Sequence, residues 1–115
     1  MKKALGNRGE DIAAQYLQQQ GYRILHRNFR SRYGEVDIIC AYQGILVFVE
    51  VKTRTSIAFG SPEEAITPTK QAHIRKVALT YLDSYSQVFR EIRFDVIGIL
   101  MEGGQPHINH LMAAF

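Results

Sequence analysis

The sequence predicts an α/β domain with a central mixed sheet of about five strands flanked by helices, in the order helix, three strands, helix, two strands. The first observation is a pair of β-rich runs, Val36–Tyr42 and Ile45–Lys52, joined by Gln43-Gly44 at the spacing of a two-residue hairpin. The second is a pair of stretches, Leu5–Gln20 and Pro68–Leu82, with apolar residues at helical spacing. Because the hairpin is apolar on both faces, it needs helices on both sides of the sheet.

Length and composition bound the classes of protein that this chain can belong to. At 115 residues it is long enough for one domain with its own core, so we expect a single domain over residues 1–115. The lone cysteine, Cys40, falls on an apolar strand face, which excludes a disulfide framework and fits a reducing compartment. No segment has the apolar length of a signal peptide or a membrane span. We therefore expect a cytoplasmic protein with no membrane partner.

The first helix is predicted from Leu5 to about Gln20, and Gly21 ends it. Gly9 lies on the same side as the apolar stripe, so the helix can approach a neighbouring element closely. Glu10 lies at the margin of that stripe. An acid at such a position is either a salt-bridge partner or, if the helix packs near other carboxylates, part of a charged site.

The next strand, predicted over Tyr22–Arg30, carries a basic run. The net charge of the chain is only +3, so total charge does not identify a nucleic-acid-binding protein. The distribution of charge is more informative, because five basic residues fall within positions 23–32 and Arg8 precedes them. The five are Arg23, His26, Arg27, Arg30 and Arg32. This run is either a solvated strand face or an edge that tracks phosphates.

The central hairpin is where we predict chemistry. If the loop is Gln43-Gly44, Tyr42 pairs with Ile45, and counting back places Asp37 opposite Glu50 and Glu35 opposite Lys52. The same register puts Val36 with Val51 and Ile38 with Val49 on one apolar face. Directly opposed β-carbons lie about 4.5–5.5 Å apart, so two carboxylates there repel each other unless a cation lies between them. Mg²⁺ is commonly held by one or two carboxylates together with water and phosphate.

Glu50 and Lys52 project from the same strand face, so Lys52 lies beside the predicted carboxylate pair. A metal on the carboxylates can polarise a phosphate oxygen and lower the pKa of a bound water, and the Val51 carbonyl is a further oxygen ligand. Lys52 can then orient or deprotonate the attacking water, or stabilise charge at phosphorus. The alternative is an ordinary salt-bridge cluster at a strand end.

The second half of the chain supplies the second helix and the last strands. We expect a loop over Thr53–Gly60, and two successive helix starts, at Ser61–Glu64 and at Thr67-Pro68. Lys70 and Gln71 extend the inward face of the helix by one turn. The final elements are a strand over Ile92–Leu100, a turn at Gly103-Gly104 and an edge strand over His107–Met112. We expect Asp95 to pair with a neighbouring arginine and all four histidines to lie on the surface.

Several short motifs together resemble the bacterial YraN-like family. They are Gly9-Glu10, Gly34-Glu35-Val36-Asp37, Val49-Glu50-Val51-Lys52, Lys70-Gln71 and Arg93-Phe94-Asp95. That family is related to the PD-(D/E)xK nuclease superfamily and is similar to archaeal Holliday-junction resolvases. The resemblance covers nearly the whole chain and implies a restriction-endonuclease-like three-layer fold. Val36 occupies the position of the superfamily's proline, which supplies no ligand.

The resemblance also implies roles for individual residues. Asp37 and Glu50 would bind Mg²⁺ or Mn²⁺, Lys52 would be catalytic, and Glu10 would be an auxiliary acid that joins the metal site. The nucleic-acid-binding residues expected with them are Arg8, Arg23, Arg27, Arg30, Arg32, Arg54, Lys70 and Gln71. Gln71 has two open roles, a contact with a metal-bound phosphate or a helix cap.

The implied function is that of a metal-dependent endonuclease that acts on DNA rather than RNA, with branched DNA among its expected substrates. Two alternatives remain open: a nucleic-acid-binding module without turnover, and a structural domain whose charged cluster is a salt bridge. A homodimer is expected if four-way junctions are the substrate, because symmetrical cutting of two strands needs two sites related by a two-fold axis.

Overall fold

A computed structural model describes residues 2–56, 66–85 and 87–115, with the side chains of the first helix described from Arg8 onward. Its elements are α1 (Lys2–Gln19), β1 (Arg23–Ser31), β2 (Gly34–Tyr42), β3 (Ile45–Arg54), α2 (Pro68–Asp83), β4 (Glu91–Glu102) and β5 (Gln105–Leu111). The predicted order of elements is confirmed. The predicted loop after Lys52 begins later than expected, because β3 continues to Arg54. The helix start predicted at Ser61–Glu64 lies outside the described residues.

The five strands form one mixed sheet in the order β1-β2-β3-β4-β5. Only β3 and β4 run parallel; the other neighbours are antiparallel. A parallel pair needs a long crossover connection, and α2 lies in the segment that makes it. The predicted mixed sheet with helices on its faces is therefore confirmed.

Each helix covers a different face of the sheet. Leu17 of α1 packs with Ile38 and Val49, whereas Val77 of α2 packs with Ile39 and Phe48. Because adjacent strand residues point to opposite faces, these contacts place α1 and α2 on opposite sides. Among the described residues no helix has the length and apolar character needed to cross a membrane.

The central hairpin has the predicted register over most of its length. Pairing runs from Tyr42 with Ile45 to Ile38 with Val49. Both loop residues have positive φ angles, 50° at Gln43 and 82° at Gly44, as a type I′ turn requires.

The predicted register fails beyond Ile38, where the ladder between β2 and β3 ends. Val36 packs in the core on the α2 side, whereas Val51 packs on the α1 side, so their predicted pairing is wrong. The physical reason is local. The Val51 backbone N–H donates its hydrogen bond to the Asp37 carboxylate. In a regular ladder a backbone carbonyl of β2 would be the acceptor. The two strands therefore separate at Asp37.

The second helix begins where the second of the predicted starts lies. Thr67 is the N-cap, and its hydroxyl accepts a hydrogen bond from the Lys70 backbone N–H at 3.2 Å. Pro68 occupies the first helical position, where its missing N–H costs nothing. The cap fixes the start of α2 one turn before Gln71, and so positions Lys70 over the sheet.

The prediction that all histidines lie on the surface is wrong for His110, whose side chain is only 4% exposed. Its Nε2 lies 2.7 Å from Asp95 and its Nδ1 lies 3.0 Å from the Tyr16 hydroxyl. Asp95 is fully buried and also accepts two hydrogen bonds from Arg93, the pairing expected from the sequence. Although burial raises the pKa of Asp95, the hydrogen bonds from His110 and Arg93 lower it overall. The network ties β5 to β4 and α1.

Gly9 allows α1 to approach β3 more closely than any other residue would. A β-carbon at this position would overlap the Thr53 hydroxyl and lie 3.1 Å from the Thr53 β-carbon. We expect Gly9→Ala to destabilise the fold by about 1–3 kcal/mol through overpacking, despite the better helix propensity of alanine. Urea unfolding measures this, and Thr53→Ala should recover part of the loss. Equal stability of Gly9→Ala and the wild type would contradict the close approach.

Candidate functional site

The predicted carboxylates lie where β2 and β3 separate. Asp37 is held there by its hydrogen bond with the Val51 backbone N–H, an N···O distance of 2.8 Å. In an antiparallel pair a residue directs its N–H and its carbonyl to the same neighbouring strand. The Val51 carbonyl therefore faces the gap between the separated ends of β2 and β3, as the Asp37 carboxylate does. This arrangement brings two of the predicted oxygen ligands to one edge.

Glu50 lies on the α2 side of the same gap and is 4% exposed. Lys70 of α2 is its ion-pair partner, but the distance from Nζ to Oε2 is 3.9 Å, beyond hydrogen-bond length. The other oxygen, Oε1, is buried and has no hydrogen-bond partner among the described residues. A buried carboxylate oxygen without a partner is costly, and a bound cation would satisfy it.

Burial perturbs the acids and the lysine of this site in opposite directions. Burial, and then the neighbouring Asp37, raise the pKa of Glu50 to about 8. Burial also raises the pKa of Asp37. Burial, and then the Lys70 ammonium beside it, lower the pKa of Lys52 to about 8. A lysine near neutrality can exchange a proton at physiological pH, as a general base must.

Glu10 lies next to this pair without completing a ligand group. Burial, and then the charge of Asp37, raise its pKa. Its Oε1 has no hydrogen-bond partner in the described part of the chain, and Arg27 lies 3.8 Å away. Among the described residues no three acidic, histidine or cysteine side chains form a group that could hold a metal. A metal here would therefore rely on Asp37 and Glu50.

Within the described part of the chain, two arginines of the basic run predicted to bind phosphates are in ion pairs. Arg27 lies 2.8 Å from Asp11, and Arg30 lies 3.2 Å from Glu35. Arg23 donates a long hydrogen bond, 3.4 Å, to Gln87, a neutral residue. Because their charges are partly neutralised by these ion pairs, Arg27 and Arg30 attract a phosphate less strongly than an unpaired arginine would.

The remaining predicted binding residues lie toward the end of the sheet where the carboxylates are. Arg8 is exposed beside Gly9 on α1, which touches β3 at Thr53. Arg54 ends β3 and donates to the carbonyl of Thr53. Gln71 donates its side-chain amide to the Ile66 carbonyl at 3.2 Å, a contact within the start of α2. Lys70 alone among these residues touches a site carboxylate.

The sequence reasoning missed Tyr33, in the turn between β1 and β2. Its ring lies 4.9 Å from the Arg32 guanidinium carbon and 5.6 Å from the Lys76 ammonium. The Arg32 guanidinium also donates to the Tyr33 hydroxyl at 2.7 Å. The available signal was an aromatic residue directly after a basic run, a composition typical of surfaces that bind nucleic acid. The position of Lys76 beside it depends on tertiary structure.

The fold and the site define a small α/β domain with a carboxylate and lysine cluster at the end of a mixed sheet where two strands separate. The chain belongs to the uncharacterised protein family UPF0102, whose model matches residues 9–99. It is 54% identical over 115 residues to a UPF0102 protein of Syntrophomonas wolfei, with 100% of both chains covered. It is 50% identical over 113 residues to one of Rhodococcus opacus, covering 97% of this chain and 96% of that protein. The expected YraN-like family is thus confirmed.

Proposed function

We propose that this protein is an endonuclease of the PD-(D/E)xK superfamily that uses Mg²⁺ or Mn²⁺ to hydrolyse phosphodiester bonds in DNA, branched DNA included. The observation that carries the proposal is a pair of carboxylates where β2 and β3 separate, half-buried Asp37 and buried Glu50, with Glu50 Oε1 lacking a hydrogen-bond partner among the described residues. Two neighbouring acids whose pKa values are raised in spite of two nearby lysines, Lys52 and Lys70, are a costly arrangement for stability alone.

The donor set fits a hard divalent cation. Asp37 and Glu50 supply carboxylate oxygens, and the Val51 carbonyl, on the same side of β3 as the N–H that bonds Asp37, would supply a third oxygen. Mg²⁺ commonly takes one or two carboxylates and fills its other positions with water and phosphate oxygens. No cysteine or histidine among the described residues joins the group, which disfavours a structural zinc site.

The residues around the carboxylates have separate roles in hydrolysis. A cation held by Asp37 and Glu50 would polarise a phosphate oxygen and promote deprotonation of the attacking water. Lys52, with a pKa of about 8, would orient that water, accept its proton or stabilise negative charge at phosphorus. Lys70, on α2, keeps positive charge over Glu50 and would contact a phosphate of the substrate.

The salt-bridge alternative predicts a different arrangement from the one observed. A cluster built for stability would join each acid to a cation at hydrogen-bond distance. Here the described ion pair of Glu50 spans 3.9 Å and leaves Oε1 without a partner. A nucleic-acid-binding module without turnover would likewise have no need to keep two repelling acids, one of them buried, next to each other.

The direct test is a cleavage assay on linear, flapped, forked and four-way DNA, each with Mg²⁺, with Mn²⁺ and with EDTA. We expect at least one substrate to be cut with either metal and none to be cut in EDTA. RNA versions of the same substrates test the preference for DNA. Binding to all substrates without cleavage of any would favour the module without turnover, and failure to bind any would favour the structural domain.

The proposed DNA-binding surface lies at the end of the sheet that holds the carboxylates, which makes a matched control available. Arg32 precedes β2 and Arg54 ends β3, both near the site, whereas Arg23 and Arg90 lie toward the Gln43-Gly44 turn at the other end. We expect the double variant Arg32→Ala/Arg54→Ala to flatten the log–log salt dependence of duplex binding by about 1.8, since each lost phosphate contact removes about 0.9. Fluorescence anisotropy across a salt series measures the slope.

Arg23 belongs to the basic run that the sequence predicts to bind phosphates, but it lies at the end of the sheet away from the carboxylates. The double variant Arg23→Ala/Arg90→Ala removes the same charge as Arg32→Ala/Arg54→Ala and should leave the slope close to that of the wild type. Equal effects of the two pairs would mean that binding follows net charge rather than this surface. A larger effect of the Arg23 and Arg90 pair would move the surface to the hairpin end. These binding measurements are made in EDTA, so they do not depend on cleavage.

A further inference from the structure

The outer edge of β5 is exposed and carries no charge. Residues 103–115 contain no Lys, Arg, Asp or Glu. From Gln105 to Asn109 every residue is exposed, and among the described residues β5 is the last strand of the sheet and pairs only with β4. An exposed strand edge presents unpaired N–H and carbonyl groups that can bond another strand.

The opposite edge of the sheet is protected in the way that natural proteins protect edges. β1 carries Arg23, Arg27 and Arg30, and its register shifts between Ile24 and His26. Charges and irregularities of this kind prevent a second sheet from pairing there. On β5 the only such device within the strand is Pro106, next to the turn. The β1 edge is therefore protected against pairing with another strand, whereas most of the β5 edge is not.

The β4–β5 turn determines which β5 groups point outward. Gly103 and Gly104 have φ angles of 63° and 78°, which makes this a type I′ hairpin. Residues that flank a two-residue turn exchange both hydrogen bonds, and the pattern then alternates. Gln105, His107, Asn109 and Leu111 therefore bond β4, and the outward groups belong to Pro106, Ile108 and His110. The lack of an N–H on Pro106 agrees with this phase.

We propose that β5 pairs antiparallel with β5 of a second copy of this chain, with the two-fold axis at Asn109. In this register Ile108 exchanges both hydrogen bonds with the partner's His110, and His110 does so with the partner's Ile108. The proline lies outside this set of bonds, so its missing N–H costs nothing. The pairing joins the two sheets into one and covers Ile108, which is 37% exposed.

A second copy fits this edge better than a different strand does. Two identical uncharged edges meet without like-charge repulsion, and an antiparallel pair of identical strands closes with two-fold symmetry. Pairing of β5 with β1 of another copy would be head-to-tail and would grow without limit, and the arginines of β1 would find no counter-charge on β5. This dimer does not rest on the proposed nuclease activity, although it would supply two symmetry-related sites.

A cysteine placed on the axis tests the register. Asn109 and the partner's Asn109 would form a non-hydrogen-bonded pair with β-carbons about 4.5–5.5 Å apart, close to the spacing in a disulfide. We expect Asn109→Cys to form a disulfide-linked dimer under mild oxidation at least about 10-fold faster than His107→Cys, which is exposed on the same strand face but off the axis. The buried Cys40, whose pKa burial raises to about 12, should stay unreactive in both.

Sedimentation of the untagged protein supplies the second measurement. We expect a concentration-dependent dimer in the wild type and a monomer in Ile108→Pro, which removes an outward N–H without removing a bond to β4. If Ile108→Pro loses its circular dichroism signal, Ile108→Lys carries the test, because an edge lysine also blocks pairing. A wild-type protein that stays monomeric, or a dimer that crosslinks equally at both cysteine positions, would overturn the proposal.

Discussion

The Asp37→Ala protein should cut DNA at least about 100-fold more slowly than the wild type in Mg²⁺, because removal of a group that supports charge in the transition state commonly costs that much. The same loss is expected for Glu50→Ala and for Lys52→Ala. The Asp37→Ala and Glu50→Ala substitutions would each remove a ligand of the cation, whereas Lys52→Ala would remove the group that accepts the proton. Single-turnover cleavage of the best substrate from the four-structure panel measures all three rates.

The three variants should differ in how they respond to pH and metal. Loss of a ligand weakens metal binding, so added Mn²⁺ should rescue part of the rate of Asp37→Ala or Glu50→Ala. Loss of Lys52 leaves the ligands in place, so Mn²⁺ should not rescue Lys52→Ala. Asp83→Asn, an exposed acid at the far end of α2, is the matched control and should keep full activity. Robust cleavage by Asp37→Ala or Glu50→Ala would falsify the assignment.

The sequence predicted the order of elements and most of the hairpin because those features depend on local rules. Gln43-Gly44 adopts the two positive φ angles that the turn needs, and this alone fixes the register from Tyr42 to Ile38. Thr67 and Pro68 likewise begin a helix by local capping. Such features need no knowledge of the rest of the chain.

The site departs from the sequence prediction where a side chain replaces a backbone partner. Counting in register placed Asp37 directly opposite Glu50, but the Asp37 carboxylate bonds the Val51 N–H and the ladder stops before it. Alternation along a strand cannot reveal this, because it assumes that backbone groups bond only each other. The residues that the counting brought together are still neighbours, since the charge of Asp37 raises the pKa of Glu50.

The buried position of His110 depends on residues far away in the sequence. Tyr16 and Asp95, its two partners, belong to α1 and β4. The alternation of side chains along β5 predicts that His107 and His110 point to opposite faces of the sheet. It does not predict which of these faces α1 covers. Tyr33 illustrates the same limit, because Lys76 approaches its ring only through the packing of α2.

The stability of the metal-free protein should depend on pH in a way that separates the metal site from the salt-bridge alternative. Glu50 has a folded-state pKa raised from 4.5 to about 8, so the folded protein binds more protons than the unfolded chain between these values. Stability in EDTA should therefore fall as the pH rises from about 5 to about 8. Because the pKa of Lys52 is lowered from 10.5 to about 8, Lys52 destabilises the fold fully below about pH 8, and this cost is lost progressively as the pH rises from about 8 to 10.5. The minimum should lie near pH 8.

Neutral variants of the same shape should remove the cost of the buried charges. In EDTA at pH 8 we expect Glu50→Gln to be more stable than the wild type by about 1–3 kcal/mol, since one pKa unit corresponds to about 1.36 kcal/mol. Near pH 5, where Glu50 is protonated in the folded protein, the two proteins should be equally stable. Asp37→Asn should be unchanged or more stable by about 1 kcal/mol. Asp83→Asn, which removes an exposed charge, is again the control.

Metal should reverse this order. At a concentration 100 times its dissociation constant, Mg²⁺ or Mn²⁺ should stabilise the wild type by about 2.7 kcal/mol, and Glu50→Gln and Asp37→Asn should lose most of that gain. The salt-bridge alternative requires the opposite, since removing one partner of a buried ion pair is destabilising by about 3–5 kcal/mol and metal would change neither protein. Urea unfolding of the wild type and these variants, with EDTA and with metal at pH 5 and pH 8, distinguishes the two. A destabilised Glu50→Gln protein beside a wild type indifferent to metal would remove the physical basis of the nuclease proposal, because the Asp37 and Glu50 carboxylates would then be satisfied without a metal.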